Sequence, residues 1–517
     1  MAKLIKNAVG RAVPTELNGF EQTPFKGVGK YIPQGNKQAP KISTYADYPS
    51  NGDKRAKDLK DALIKAGLKD GMTISSHHHF RNGDLIMNKV FDIAHDMGIK
   101  DLVWFPSASF PCHEHLIPYL EDGTINRIEG SMNGPLGNFT SQGKMKGTAM
   151  LRSHGGRYQA VQDGDIQIDI AVIVAACADP FGNANGLYGD SASGLLGFAL
   201  ADSEYAAKSM VITDNMVEFP CIPWQIQGNN IDITLEVDKV GEPEKIISGT
   251  TRITKSPDRL LLAEMTAQFC NEVGIIKDGF SFQTGAGGTS LAVSKYFNDI
   301  MSEKNIKARF ARGGSNKYLV KMLEEGKVDY ILDGQTFDLE GVRSMRDNPN
   351  HVWTSPFTSY NYHGKGNFAG MVDVVILGAT EVDINFNGNV VTHSDGKLLH
   401  GIGGWQNCLM SKTVILPLPL FRNRMPVIVD EVTTICGPGE LIDVIVTERG
   451  IAVNPKRQDL LKKLQNSELP IKTIEELKNE AESMCGVPDK PKFTDEIIAG
   501  IKWVDGTLID VVRKVQE

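Results

Sequence analysis

The chain resembles itself at an offset of a little over two hundred residues, and this repeat limits its fold more than any other feature. KDGMTISSHHHFRNGD from Lys69 answers KDGFSFQTGAGGTS from Lys277. Each is followed by an amphipathic helical stretch (LIMNKVFDIAHDMG, SLAVSKYFNDIMSE), then by an Ile-Lys pair at Ile99-Lys100 or Ile306-Lys307. Downstream, IDIAVIVAACADPFGNANG from Ile168 answers VDVVILGATEVDINFNGN from Val372, pairing Asp169 with Asp373 and Asp179 with Asp383. KSMVI at Lys208 then answers KTVIL at Lys412. Any two αβ units share some likeness, but several anchors in one order indicate a tandem duplication.

The runs MTIS, DLVWF, AVIVAA, FSFQ, VVILGA, VILPL and VIVTE alternate with helical stretches, which predicts mostly parallel sheets covered on both faces. The expected class is α/β, with two tandem similar domains and a site between them at the carboxyl ends of strands. The boundaries read as an N-terminal arm over 1–50, a first domain over 51–256 and a second over 257–517. The arm is rich in Pro, Gly, Lys and Asn and suits subunit contact. Ile231–Pro257 is expected to form antiparallel strands and a linker. The tail after Asn454 reads as helical, ending in a strand or helix at IKWVDGTLIDVVRKV.

A length of 517 residues suits two cores. A net charge of −8 argues against nucleic acid as the main partner, because phosphate neutralisation needs a basic face. The longest apolar run, Ile166–Ala178, is short and interrupted by Asp169, so no membrane span is expected. The start MAKLIKNAVGRAVP lacks an export signal, and the seven cysteines have no C-x-x-C spacing. Reduced thiols in a cytoplasmic protein are the expectation.

Four loops could carry chemistry. Gly285, Gly287 and Gly288 lie between a predicted strand and a predicted helix, where amides can hold an anion or simply make a tight turn. The equivalent loop of the first repeat offers His77, His78, His79 and Arg81, of which one or two histidines can face a site. LRSHGGR brings Arg152, His154 and Arg157 into one turn, suited to carboxylates or to a solvated basic loop. In GIGGWQN, Gly403 and Gly404 could present amides to an oxyanion or be structural. FGNANG (Phe181–Gly186) and NFNGN (Asn385–Asn389) are turns that could line the same cleft, and Arg422 and Arg424 are further candidate carboxylate binders. No metal site is expected: the histidine loop has no companion ligands, and PCHEH (from Pro111) lacks the H-E-x-x-H spacing.

From about Lys41 to the C-terminus, SSHHHFRNGD, LRSHGGR, DPFGNANG, FQTGAGGTSLAV, QTFD (Gln335–Asp338), VTTICGPGELIDVIVTERGIAVNPKR and VDGTLIDVVRKV together resemble the citrate lyase alpha subunit family. Gly401–Gly404 and Val446–Ala452 echo the wider coenzyme A transferases and acetyl-CoA hydrolases. The resemblance implies a coenzyme A transferase-like pair of α/β domains. It implies exchange of acetate for citrate on the thiol of a small acyl carrier protein bearing a coenzyme A-like arm. A beta subunit would then cleave the citryl thioester, within a larger oligomer. No covalently bound cofactor is expected.

Many coenzyme A transferases use a glutamate, and FARGGSN (Phe310–Asn316), the corresponding stretch, has none; Glu381 reads as structural. Direct attack of citrate on the acetyl thioester, through a mixed anhydride, is then expected. In that reading Arg81, Arg152, His154, Arg157 and one or more of His77–His79 hold the acids. Gly403 and Gly404 serve the oxyanion, and Gly285, Gly287, Gly288, Asp333 and Gln335 line the path of the carrier arm. A general acyl-CoA transferase or hydrolase, and a non-catalytic binding subunit, are the alternatives.

Overall fold

The computed structural model describes residues 3–33, 49, 51–247, 253–285, 287–362 and 365–516. Ala286, within the glycine turn, lies outside them, as do 34–48 and 50 of the arm and 248–252 of the expected linker.

The duplication is written in the strand order. The first sheet contains β1 (Thr73–Ser76), β2 (Leu102–Pro106), β3 (Ile125–Ile128), β5 (Ile170–Ala175), β6 (Lys208–Thr213) and β7 (Ile233–Glu236), arranged β7-β6-β5-β1-β2-β3. A short strand, β4 (Ala149–Leu151), belongs elsewhere. The second sheet holds β8 (Ser281–Thr284), β9 (Ala308–Ser315), β10 (Val328–Thr336), β11 (His351–Trp353), β12 (Val374–Ile376), β13 (Val414–Pro417), β14 (Val444–Thr447) and β15 (Gly450–Val453). Its order is β15-β14-β13-β12-β8-β9-β10-β11. Removing β11 and β15 leaves the order of the first sheet, strand for strand. Pairing is parallel throughout except between β14 and β15.

The repeated aspartates explain why the sequence repeats where it does. Asp169 accepts from the Thr73 amide at 2.7 Å, and Asp373 accepts from the Ser281 amide at 2.8 Å, so each pins the start of the central strand of its sheet. Asp179 Oδ1 accepts from the amides of Phe181, Gly182 and Asn183, and Asp383 Oδ1 from those of Asn385 and Asn387. FGNANG and NFNGN are therefore aspartate-anchored turns, and neither lines the main cleft.

One expectation is corrected. The region from Ile231 gives one parallel edge strand, Met210 pairing with Ile233, because the polar Asp232 caps β6 while the apolar residues beside it join the sheet. The tail after Asn454 is helical and then takes the strand alternative, ending in β16 (Phe493–Lys502) and β17 (Leu508–Val515). This antiparallel pair joins β4 of the first half, Ala149 lying opposite Ala499, so the C-terminus crosses back over the expected domain boundary. The arm folds onto the same strands: Val13 and Leu17 pack with Met150, Leu508 and Val511, and Phe25 meets Trp503 edge-on at 5.8 Å.

No helix among the described residues is long and apolar enough to cross a membrane.

Candidate active site

The carboxyl ends of both sheets open into one cleft of about 1810 Å³. That exceeds the roughly 300–1,000 Å³ of a single small-ligand pocket, leaving room for a small acid beside an extended second ligand. The halves meet across it at short range. The His154 amide donates to Gly403 O at 2.8 Å, and the Gly155 amide to Asn407 Oδ1 at 3.0 Å. A Cβ at Gly155 would lie 2.3 Å from Asn407 and 2.7 Å from Tyr360 O, so this approach requires glycine.

The histidine loop after β1 separates into two faces. His78 and Arg81 line the cleft, while His77 and His79 do not. His77 Nε2 lies 2.9 Å from Asp202, within the core, and His79 packs on Phe80. Burial lowers all three histidines, His79 to about 4. The Ser107 hydroxyl accepts from the His78 amide at 3.0 Å and lies 2.6 Å from His78 Nδ1. With that hydroxyl donating to Nδ1, His78 carries its proton on Nε2, and Gln335 is a further polar neighbour of the ring. His154 stacks on His78 at 5.5 Å and lines the cleft; burial, then Arg157, lowers it to about 3.

Arg81 sits 4.6 Å from the centre of the Phe337 ring, a residue of the other half, and donates to Ile246 O at 2.6 Å. Burial lowers its guanidinium to about 10, which leaves it charged at neutral pH. Among the described residues no carboxylate lies within 4 Å of it. A buried cation without a counter-ion is costly, and a bound anion offsets that cost.

Arg152 and Arg157 are corrections. Arg157 is bidentate to Asp202, at 2.5 and 2.6 Å, under the Phe105 ring. Arg152 lies between Glu129 and Asp165, at 3.5 and 3.6 Å. Neither lines the cleft; their charges are spent on carboxylates distant in sequence. Asp333 is also outside the lining. It braces the strand ends, accepting from the Ser315 and Gln335 amides at 3.1 and 2.9 Å. Gln335 does line the cleft, and its Nε2 has no hydrogen-bond partner.

The glycine turns behave differently from one another. Gly285, Gly287 and Gly288 all line the cleft; Gly285 gives its amide to Ile376 O at 3.1 Å, and Gly288 starts α1 (Gly288–Glu303), which has no side-chain cap. Gly403 (φ +62°) and Gly404 line the opposite wall, and among the described residues neither amide has an acceptor. Arg422 lines the outer part with Arg259, Lys490 and Lys492, while Arg424 does not. The sequence reading missed Gln283 and Tyr360, which line the cleft, and Arg312, which lies behind them without lining it. An arginine inside an apolar strand just before Gly-Gly was the available signal.

Among the described residues no glutamate lines the cleft, and no group of three His, Cys, Asp or Glu side chains is placed to hold a metal. Glu381 is bound by Asn389 Nδ2 and the Thr433 amide. His113, in PCHEH, pairs with Asp84 at 3.5 Å.

The family model described as "Citrate lyase, alpha subunit (CitF)" matches residues 52–515. The citrate lyase alpha chain of Klebsiella pneumoniae is 41% identical over 460 residues, covering 89% of this chain and 91% of its own. A crystal structure of the citrate lyase alpha subunit of Streptococcus mutans, in complex with citrate, superposes with a TM-score of 0.94 at 40% identity, covering 99% of this chain and 100% of that one. The 4-hydroxybutyrate CoA-transferase of Porphyromonas gingivalis shares the fold, at a TM-score of 0.53 and 14% identity over 83% of this chain and 96% of that one. The chain therefore belongs to the citrate lyase alpha subunit family.

Proposed function

We propose that the cleft moves a carrier thiol from acetate to citrate by direct contact of the two acyl groups, with no acyl intermediate on the protein. The enzyme is the transferase component of citrate lyase, a multi-subunit complex. Its partners in this reading are an acyl carrier subunit with a coenzyme A-like arm and a beta subunit that cleaves the citryl thioester.

The observation that carries the mechanism is that, among the described residues, a buried Arg81 has no counter-ion, the Gly403 and Gly404 amides have no acceptor, and no glutamate lines the cleft they share. Arg81 holds a citrate carboxylate and blunts its repulsion from other anions. Another carboxylate oxygen attacks the acetyl carbonyl. The developing oxyanion takes the Gly403 and Gly404 amides, donors that need no reorganisation. The carrier thiolate leaves, and acetyl citrate, a mixed anhydride, remains. The thiolate then attacks the citryl carbonyl, and acetate departs. His78 Nε2–H and the free Gln335 amide can stabilise charge on this path without giving up a proton. Holding the acid and the thioester together supplies up to about 7–11 kcal/mol in well-oriented systems. Gly287, Gly288 and the basic outer residues receive the phosphates of the arm.

With acetyl-coenzyme A as a surrogate donor and labelled citrate, the full chain is expected to give citryl-coenzyme A and acetate in equal amounts. Acetate without a citryl thioester would make it a hydrolase. No product, and no citrate-dependent rise in Tm, would make it a non-catalytic subunit.

A further inference from the structure

Arg312 lies in β9 and has no exposure to solvent. Its Nη1 donates to Gln283 Oε1 at 2.6 Å, and its guanidinium lies 4.5 Å from the centre of the Tyr360 ring. Among the described residues Nε and Nη2 have no hydrogen-bond acceptor. Among the described residues no carboxylate is within 4 Å. The neighbouring Cys408 sulfur does not supply the charge, since burial pushes its thiol up. Elsewhere the protein treats such a group differently: the equally enclosed Arg157 has both ends of its fork on Asp202.

The groups around Arg312 face the cleft. Gln283, Tyr360, Gly313 and Gly334 all line it. Gly313 has φ +113°, a conformation that glycine adopts freely, and a Cβ at Gly334 would lie 3.8 Å from Arg312 Nη2. Bare glycine thus stands where a side chain would separate the guanidinium from the cleft. The first half supplies Arg81, which lines the cleft and, like Arg312, has no carboxylate within 4 Å among the described residues.

We infer that Arg312 binds a second carboxylate of the acid substrate and makes the cleft selective for di- and tricarboxylates. This rests on the transfer reading above. Two unpaired cations, one from each half, call for two anionic groups on one ligand, and a monocarboxylate satisfies only one of them.

The test uses the full chain, acetyl-coenzyme A as donor, and either citrate or propionate as acceptor, with Arg312→Gln and Arg312→Lys compared. Arg312→Gln is expected to raise the citrate KM about 100-fold, with a far smaller change in the KM for acetyl-coenzyme A. The preference for citrate over propionate, in kcat/KM, should fall by about the same factor. Citrate should no longer raise its Tm, and Arg312→Lys should recover part of the loss. A citrate KM within about threefold of wild type would overturn the inference, and so would equal losses toward both acids, which mark a structural role. If neither variant melts cooperatively, Arg312 serves folding and the inference fails. A wild type that binds citrate but forms no citryl thioester overturns the transfer reading instead, and the Tm comparison still decides the role of Arg312.

Discussion

Arg81→Gln is expected to raise the citrate concentration needed for half-maximal transfer about 100-fold, the largest binding effect of any single change outside the cleft floor. A surface ion pair contributes little because water screens it and the side chains are free. Arg81 is different on both counts. It is enclosed, its guanidinium is fixed by the Ile246 carbonyl and the Phe337 face, and among the described residues no carboxylate competes for it. Glutamine keeps a donor of similar reach but removes the charge, so the loss reports the anion rather than the shape. The backbone at Arg81 has φ +52°, which glutamine meets at a cost similar to arginine, so folding is expected to survive. Steady-state kinetics over citrate, with a melting curve for each protein, checks this. A citrate requirement unchanged from wild type would remove Arg81 from the acid site.

Gly404→Ala is expected to lower kcat by about 10²–10³ with a smaller change in KM. The backbone at Gly404 (φ −84°) accepts alanine. The obstacle is a single contact: a Cβ there would lie 2.8 Å from the Tyr360 hydroxyl and 3.3 Å from its Cζ. Because Tyr360 is buried under Arg312, the turn must move instead, and the Gly403 and Gly404 amides move with it. A displacement near 1 Å can cost about 10²-fold when donors are aimed at a transition state. A kcat within about threefold of wild type, in a protein with an unchanged Tm, would mean that these amides do not hold the oxyanion.

Local chemistry was legible in the sequence; long-range pairing was not. The repeat predicted two similar α/β domains, and it was readable because Asp169 and Asp373, and Asp179 and Asp383, do the same local work in each half. The glycine turns were readable for the same reason, since a turn declares itself within a few residues. Arg152, Arg157 and His77 were misplaced because their partners are distant or unmarked: Asp202 lies 45 residues beyond Arg157 and 125 beyond His77. Nothing in LRSHGGR distinguishes an arginine that keeps its charge for a ligand from one already paired. Arg312 was passed over for the opposite reason, as an arginine in an apolar strand looks structural until its missing partner is seen. The return of β16 and β17 to β4 joins residues some 350 apart, beyond the reach of any periodicity.

The central claim is that citrate itself attacks the acetyl thioester. A single turnover with citrate carrying oxygen-18 in its carboxylates tests it most directly. Direct attack leaves one citrate oxygen bridging the anhydride, and that oxygen departs with acetate when the thiolate takes the citryl carbon. The account predicts acetate bearing one oxygen-18 and a protein free of label. Unlabelled acetate, with oxygen-18 in a protein carboxylate, would contradict it.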